Sequence, residues 1–223
     1  IVKRGGADFS EHSAGLRTNE DELAEAQAAQ LTSDEVPIDP LRLCKEIADA
    51  VSDDMIVIGD GGDIVAQASK VIQVPTHGAW MDPGPLGTLG VGMPFAIAAQ
   101  IAHSDKRVMI IYGDGSFGLN GFEFDTAVRF GLPIVGVVGN DAAWGQMMRP
   151  QSMIYGEERL VATELSSTRY DKVVEAMGGH GEHVTEPDGI APAIERAFAS
   201  GKPALVNVEI RQDKGAPKGS TYV

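Results

Sequence analysis

Two acidic motifs separated by 24 residues are the part of this sequence best suited to chemistry. The first is Gly113-Asp114-Gly115 and the second is Asn140-Asp141, and each follows a short apolar run. If those runs are neighbouring strands of a parallel sheet, Asp114 and Asp141 face one another beyond the carboxyl ends of the strands. Mg²⁺ prefers oxygen ligands and often shares them with phosphate, and glycine lets the backbone approach a phosphate closely. The spacing therefore predicts a magnesium ion that bridges two carboxylates to a diphosphate.

Short apolar runs alternate with helical patterns over most of the chain. The predicted strands are 55–58, 108–112, 134–138 and 204–210. The predicted helices are 40–51, 64–71, 122–130, 170–177 and 190–199, and a glycine-rich loop leads into a buried helix within 84–102. Segment 145–167 has weak periodicity and is predicted to be a long functional loop with a short helix. Continuously apolar strands between amphipathic helices predict an α/β fold, a parallel sheet with helices on both faces.

The chain divides into three parts by composition. Residues 1–36 are polar and are predicted to be a linker or the end of a preceding domain, with a short helix at Glu20–Gln30. Residues 37–211 are predicted to form the globular domain, with Asp39 capping its first helix. Residues 212–223 form a polar tail. Because the first residue is not Met, we expect the chain to be a piece of a longer polypeptide.

Charge and cysteine content exclude several function classes. The sequence has 18 Lys and Arg against 32 Asp and Glu, a net charge of -14. An acidic chain repels the phosphates of nucleic acids and anionic membranes, so neither is an expected partner. The uncharged stretch 83–103 is interrupted by glycine and proline and does not predict a membrane span. One cysteine, Cys44, permits neither an internal disulfide nor a cysteine-based zinc site, and we expect a reducing cytoplasm.

The two acidic motifs, together with their flanking residues, resemble the signature of thiamine-diphosphate enzymes. The matching positions are Gly113-Asp114-Gly115-Ser116-Phe117, Glu123, Gly131-Leu132-Pro133, Asn140-Asp141, Trp144-Gly145 and the glycine loop Leu86–Pro94. The resemblance extends over most of 38–210 and is closest to the branch of acetolactate synthase, benzaldehyde lyase, 2-hydroxyacyl-CoA lyase and oxalyl-CoA decarboxylase. It implies the C-terminal, diphosphate-binding domain of such an enzyme.

The resemblance implies a role for each matched residue. Asp114, Asp141 and the main-chain carbonyl of Ala143 would ligate Mg²⁺, although the family usually has Asn at the position of Asp141. The other residues implied to bind thiamine diphosphate are Gly113, Gly115, Ser116, Trp144 and Gly145. Gly61, Gly62 and Asp63 match a second diphosphate loop, or else form an ordinary strand-to-helix turn.

The remaining implied contacts concern the aminopyrimidine ring and the substrate. The Gly87 carbonyl would accept a hydrogen bond from the 4′-amino group, and Leu89 would force the cofactor into its bent shape. Gln146 would bond a substrate carbonyl or hydroxyl, or merely line the loop. The family's activating glutamate lies in a pyrimidine-binding domain outside this chain, upstream or on a partner subunit. The resemblance thus implies a site at a subunit interface and a homodimer or homotetramer.

Several functions stay open at this stage. The favoured one is a lyase that cleaves a 2-hydroxyacyl-CoA to formyl-CoA and an aldehyde or ketone. The alternatives are a carboligase resembling acetolactate synthase or benzaldehyde lyase, which would take a small-molecule substrate, and a non-catalytic regulatory or assembly domain. The tail could close as a lid over an acyl-CoA phosphate or stay solvated. His180 and His183 are expected to be surface turn residues rather than metal ligands.

Overall fold

The computed structural model describes residues 8–74 and 76–212. The strands are β1 (Met55–Asp60), β2 (Trp80–Met81), β3 (Arg107–Gly113), β4 (Val135–Asn140), β5 (His180–Val184) and β6 (Ala204–Glu209). The helices are α1 (Ser10–Leu31), α2 (Pro40–Ala50), α3 (Asp63–Val71), α4 (Gly92–Ala102), α5 (Asp114–Asn120), α6 (Phe124–Phe130), α7 (Gly145–Tyr155), α8 (Tyr170–Ala176) and α9 (Ile190–Ala199).

The six strands form one parallel sheet in the order β2-β1-β3-β4-β6-β5. Successive residues of β3 enter different cores, because side chains alternate between the two faces of a strand. Met109 and Ile111 pack with α2, α3 and α9, whereas Ile110 and Tyr112 pack with α4, α6 and α8. Burial of both faces explains the continuous apolar runs, and the predicted α/β fold is confirmed.

Two strands carry no apolar run and were not predicted. The first, β2, has only two residues, and β5 is a polar strand at the edge of the sheet. His180 and His183, expected in a surface turn, lie in β5 instead. Each imidazole contacts a carboxylate: Glu182 at 2.8 Å for His180, and Glu209 at 2.9 Å for His183.

Local sequence signals locate the start of α2 but not the bounds of several other helices. Asp39 caps α2 as predicted, and its Oδ1 accepts the Leu41 N–H at 2.8 Å. Helix α1 is longer than the predicted segment Glu20–Gln30, and none of its residues is buried. Helix α5 was not predicted because glycines interrupt its sequence. The predicted loop 145–167 contains the eleven-residue helix α7, whose pattern is broken by Pro150.

Cys44 lies in the core of the α2 face, and burial raises the pKa of its thiol to about 12. No helix among the described residues is long and apolar enough to cross a membrane. The predicted lid lies almost wholly outside the described residues, of which Gln212 is the last.

Candidate functional site

The ends of β3 and β4 bring the two acidic motifs together. These strands are neighbours, with Gly113 paired to Gly139, so the chain leaves both strands at the same edge of the sheet. Asp114 begins α5 directly after β3, and Asp141 follows β4. Both residues line one cleft with about 720 Å³ of empty space. This is the location expected for a ligand of a parallel sheet.

Asp114 is held in place by backbone donors. Its Oδ1 accepts the Gly115 N–H at 2.7 Å and its Oδ2 accepts the Ala143 N–H at 3.2 Å. Burial raises the pKa of this carboxyl to about 6, although the backbone hydrogen bonds act in the opposite direction. A positive ion in the cleft would offset the cost of burying this charge.

Asp141 is the second carboxylate of the cleft. Burial, and then repulsion by the charge of Asp114, raise the pKa of Asp141 to about 7. The next residue, Ala142, has φ 54°, a left-handed conformation that costs free energy for any residue with a Cβ. Its carbonyl accepts the Leu165 N–H at 2.7 Å, and the Trp144 N–H donates to Thr163 at 2.8 Å. We call residues 140–144 the metal turn.

A third carboxylate, Asp63, reaches the cleft from the first turn of α3. Its Oδ1 forms an ion pair with Arg149, whose side chain is 4% exposed, and its Oδ2 is buried without a hydrogen-bond partner. Both Asp63 and Asp141 lie beside the Cα of Gly145, where a Cβ would overlap Asp63 Oδ2 and come within 3.4 Å of Asp141 Oδ2. Gly145 therefore allows two acidic groups to approach the same point.

Close packing around the other glycines shapes the cleft. A Cβ on Gly115 would lie 2.6 Å from the Trp144 ring, and one on Gly62 would overlap the amide of Gln146. A Cβ on Gly61 would lie 2.9 Å from the Gly113 nitrogen. Glycine at these positions leaves backbone, rather than side chains, facing the cleft.

The part of the glycine loop that precedes α4, residues 86–91, borders a second and more open cleft. Leu89, Gly62 and Gln146 line both clefts, so the two spaces adjoin, and Gly61 and Gly87 line the second one. The buried Asp60 holds the end of this loop, since its two carboxylate oxygens accept the N–H groups of Gly90 at 3.0 Å and Gly92 at 2.7 Å.

The chemistry of these groups fits a hard divalent cation with a phosphorylated ligand. No three His, Cys, Asp or Glu side chains within residues 8–74 and 76–212 form a metal site by themselves. Two carboxylates plus a backbone carbonyl leave part of an octahedral shell to phosphate and water, as Mg²⁺ commonly requires. The glycine-lined walls leave room for that phosphate to meet the backbone.

Comparison with known proteins decides the family. Residues 60–208 match the family model described as thiamine pyrophosphate enzyme, C-terminal TPP binding domain. The chain belongs to the thiamine pyrophosphate enzymes. The resemblance found in the motifs is therefore confirmed, and so is thiamine diphosphate as the cofactor of this family.

Two named relatives share much of the sequence of this thiamine pyrophosphate enzyme domain. A protein of Mycobacterium bovis named probable acetolactate synthase is 42% identical over 208 residues, which cover 93% of this chain and 38% of the relative. The 2-hydroxyacyl-CoA lyase 2 of Caenorhabditis elegans is 38% identical over 203 residues, which cover 87% of this chain and 31% of the relative. The chain thus spans about a third of the length of these relatives.

A solved structure has the same fold. The thiamine diphosphate-dependent 4-hydroxybenzoylformate decarboxylase of Rhodococcus jostii RHA1 superposes with a TM-score of 0.75 at 23% identity. The match covers 82% of this chain and 34% of that chain.

Every residue that the resemblance assigned to the metal, the cofactor or the substrate lines one of the two adjoining clefts of this thiamine pyrophosphate enzyme domain. Those of the first cleft are Gly62, Asp63, Leu89, Gly113, Asp114, Gly115, Ser116, Asp141, Ala143, Trp144, Gly145 and Gln146. The sequence reasoning missed Asp60 and Arg149. Asp60 had a signal, because Gly59-Asp60-Gly61 repeats the pattern of Gly113-Asp114-Gly115. Arg149 had none, since it lies in the weakly periodic segment taken as a loop.

Proposed function

We propose that the first cleft binds the diphosphate of thiamine diphosphate through Mg²⁺ held by Asp114, Asp141 and the carbonyl of Ala143. The observation that carries this proposal is the convergence of a buried carboxylate, Asp114, and a half-buried one, Asp141, on one glycine-walled cleft, with their pKa values raised to about 6 and about 7. Burying like charges together is unfavourable unless a cation joins them.

The backbone of this chain supplies the diphosphate contacts. Gly115 and Ser116 lie in the first turn of α5 and line the cleft; the Ser116 N–H has no intrahelical acceptor there, whereas the Gly115 N–H is shared with Asp114. Gly62, which follows β1, lines the same cleft, and Gly61 lines the adjoining one. Arg149 supplies a buried positive charge that offsets Asp63, so the Mg²⁺ charge is left to balance Asp114 and Asp141.

The second cleft receives the aminopyrimidine side of the cofactor. Gly87 would accept the 4′-amino group at its carbonyl, and Leu89, which lines both clefts, would support the bend of the cofactor. Gln146 lies between the clefts and would orient a carbonyl or hydroxyl of the substrate. When bound, thiamine diphosphate supplies the carbon nucleophile and the electron sink for chemistry at a C–C bond beside a carbonyl.

We propose that the complete protein is a C–C lyase or carboligase, favoured as a 2-hydroxyacyl-CoA lyase that releases formyl-CoA and an aldehyde or ketone. The similarity to the 2-hydroxyacyl-CoA lyase 2 of C. elegans supports this substrate class. The similarity to a probable acetolactate synthase supports carboligation of small 2-keto acids as the second candidate. A pyrimidine-binding domain with an activating glutamate, a homodimer or homotetramer and a cytoplasmic location belong to the same proposal.

Calorimetry on the full-length protein tests the cofactor site. Thiamine diphosphate should bind with Mg²⁺ present and at least 100-fold more weakly with EDTA, because the metal carries the link to the diphosphate. Absence of Mg²⁺-dependent binding would instead favour a non-catalytic regulatory or assembly domain.

Product analysis on the same protein tests the substrate class. Several 2-hydroxyacyl-CoA esters and, separately, pyruvate are incubated with the loaded protein, with a sample lacking Mg²⁺ as the control. Release of formyl-CoA supports the lyase, whereas acetolactate from pyruvate without cleavage of any ester overturns it in favour of the carboligase.

A further inference from the structure

We infer that Asp171, outside both clefts, is a positioning residue that holds the metal turn through Asn207 and Asn140. The inference rests on the proposed function, because it concerns the turn that would carry Asp141 and Ala143. It is carried by a directional chain of buried hydrogen bonds that runs from α8 across β6 to the end of β4.

Asn140 is the first link of this chain. Its side chain is directed to the neighbouring backbone and strand: Nδ2 donates to the Thr168 carbonyl at 3.1 Å and to Asn207 Oδ1 at 3.2 Å. Its Oδ1 accepts the Ala142 N–H at 3.3 Å. Asn140 thereby supports the one residue of the metal turn that has a positive φ.

Asn207 is the middle link and is fully buried on β6. While its Oδ1 accepts from Asn140, its Nδ2 donates to the Thr168 carbonyl at 3.2 Å and to Asp171 Oδ1 at 3.4 Å. Because the NH₂ group of Asn207 faces the acceptors on Thr168 and Asp171, its oxygen is the atom that faces Asn140. The orientation of Asn207 therefore determines that of Asn140.

Asp171 closes the chain at its far end. The carboxylate is 1% exposed and accepts two hydrogen bonds from Arg169, Nε to Oδ1 at 2.9 Å and a terminal nitrogen to Oδ2 at 2.6 Å. Both oxygens thus face donors, which only a carboxylate can satisfy, because an amide must present an NH₂ group to Arg169 or to Asn207. The NH₂ group at position 171 would then face an N–H group of Arg169 or Asn207 in a buried position, where an unmade hydrogen bond is costly.

The consequence reaches the metal turn by a short path. If Asn207 rotates to satisfy a donor at position 171, Asn140 loses its acceptor and the Ala142 N–H loses Asn140 Oδ1. The left-handed conformation of Ala142 then has less support, and Asp141 and Ala143 sample positions away from the metal. Residues behind metal ligands typically change metal affinity 10- to 100-fold, about the effect expected here.

The test uses the full-length protein and variants Asp171→Asn, Arg169→Gln and Asp188→Asn. Asp188 is exposed and contacts Arg42 on α2 rather than any residue of the hydrogen-bond chain, so Asp188→Asn is the matched control. The Mg²⁺ concentration for half-saturation with thiamine diphosphate should rise about 10-fold in Asp171→Asn and about 3-fold in Arg169→Gln, whose side chain is half-exposed. At saturating Mg²⁺, kcat should return to within twofold, a split that general damage to the fold would not produce.

The outcomes separate this inference from the proposed function. If the unaltered protein binds the cofactor with Mg²⁺ and both variants have the same half-saturation as the control, the positioning role alone is overturned. If Asp171→Asn does not fold, Arg169→Gln decides the question by the same criterion. If the unaltered protein shows no Mg²⁺-dependent binding, the proposed function fails and this inference fails with it.

Discussion

The metal turn and the glycine loop border the same pair of clefts but are held in different ways. The metal turn is bonded to Asp114, to segment 163–168 and, through Asn140, to β6. The glycine loop is fixed near Gly90 by Asp60 and by the Asn120 side chain, whereas its tip is open, with Leu86 87% exposed. One side of the site is ordered by contacts within this domain, and the other presents an uncovered surface.

This difference indicates that the metal turn and the glycine loop have different roles. Metal ligands must be held within a few tenths of an ångström, and buried hydrogen bonds with closely packed neighbours provide that precision. The exposed tip of the glycine loop is the surface on which the proposed pyrimidine-binding domain would close. The metal turn and its neighbours are thus expected to bind diphosphate in this domain alone, whereas catalysis would require the proposed second domain.

The largest effect is expected from a change at Asp114. Asp114→Ala removes a proposed ligand of Mg²⁺ and the acceptor of the Ala143 N–H, so the affinity for thiamine diphosphate with Mg²⁺ should fall on the order of 1,000-fold, about 4 kcal/mol. Calorimetry on the full-length protein measures this, with the exposed Asp105→Ala as the control. Unchanged affinity in Asp114→Ala would mean that the metal is held elsewhere.

A smaller effect is expected where the glycine loop is anchored. Asp60→Asn puts an NH₂ group against the N–H of Gly90 or Gly92, so the free energy of unfolding should fall by about 2–3 kcal/mol. Urea denaturation measures this, and hydrogen exchange should accelerate in 86–92. Asp105→Asn, exposed in the turn before β3, should cost less than about 0.5 kcal/mol and is the matched control. Equal losses in both variants would contradict an anchoring role for Asp60.

The charge of the metal turn predicts a pH dependence. The pKa of Asp141 is raised to about 7 in the metal-free fold, above its ordinary value of 3.8, so the folded state binds this proton more tightly than the unfolded state. Its contribution to stability is therefore present at low pH and is lost as pH rises from about 4 to about 7.

Asp141→Asn tests that sign. With EDTA at pH 8, the variant should be more stable than the unaltered protein by about 1–2 kcal/mol, which allows for partial screening by solvent. Near pH 4 the two should differ little. Urea denaturation across this pH range provides the measurement. If the free energy of unfolding depended on pH in the same way in both proteins, burial would not destabilise the Asp141 carboxylate.

The smallest effect is expected where the two sides meet. Gln146 is exposed and lies between the clefts, so Gln146→Ala should raise the substrate KM about fivefold, about 1 kcal/mol, and leave the cofactor affinity unchanged. Steady-state kinetics of the full-length protein measures this, with Gln27→Ala on α1 as the control. A loss of cofactor affinity would instead mean that Gln146 contributes to cofactor binding beside the metal turn.

The sequence predicted the two sides of the site unequally well. Asp114 and Asp141 could be placed because each follows a strand whose two faces are buried, which leaves an unmistakable apolar run. Asp60 follows a similar run, yet its bonds to Gly90 and Gly92 join positions about 30 residues apart, beyond any local pattern. The polar strand β5 was missed because its sequence has no apolar alternation.

The sequence by itself determined the parallel α/β architecture, the family and the acidic and glycine residues at the strand ends that line the clefts, because these depend on local hydrophobic pattern and on glycine and aspartate at strand ends. Only the tertiary structure decided which groups hold those residues in place. The pairing of Asp63 with Arg149, the support of the glycine loop by Asp60 and the path from Asp171 to Asn140 join segments far apart in the chain. Such contacts arise when separate strands and helices pack together, and the spacing of residues along the chain carries no record of them.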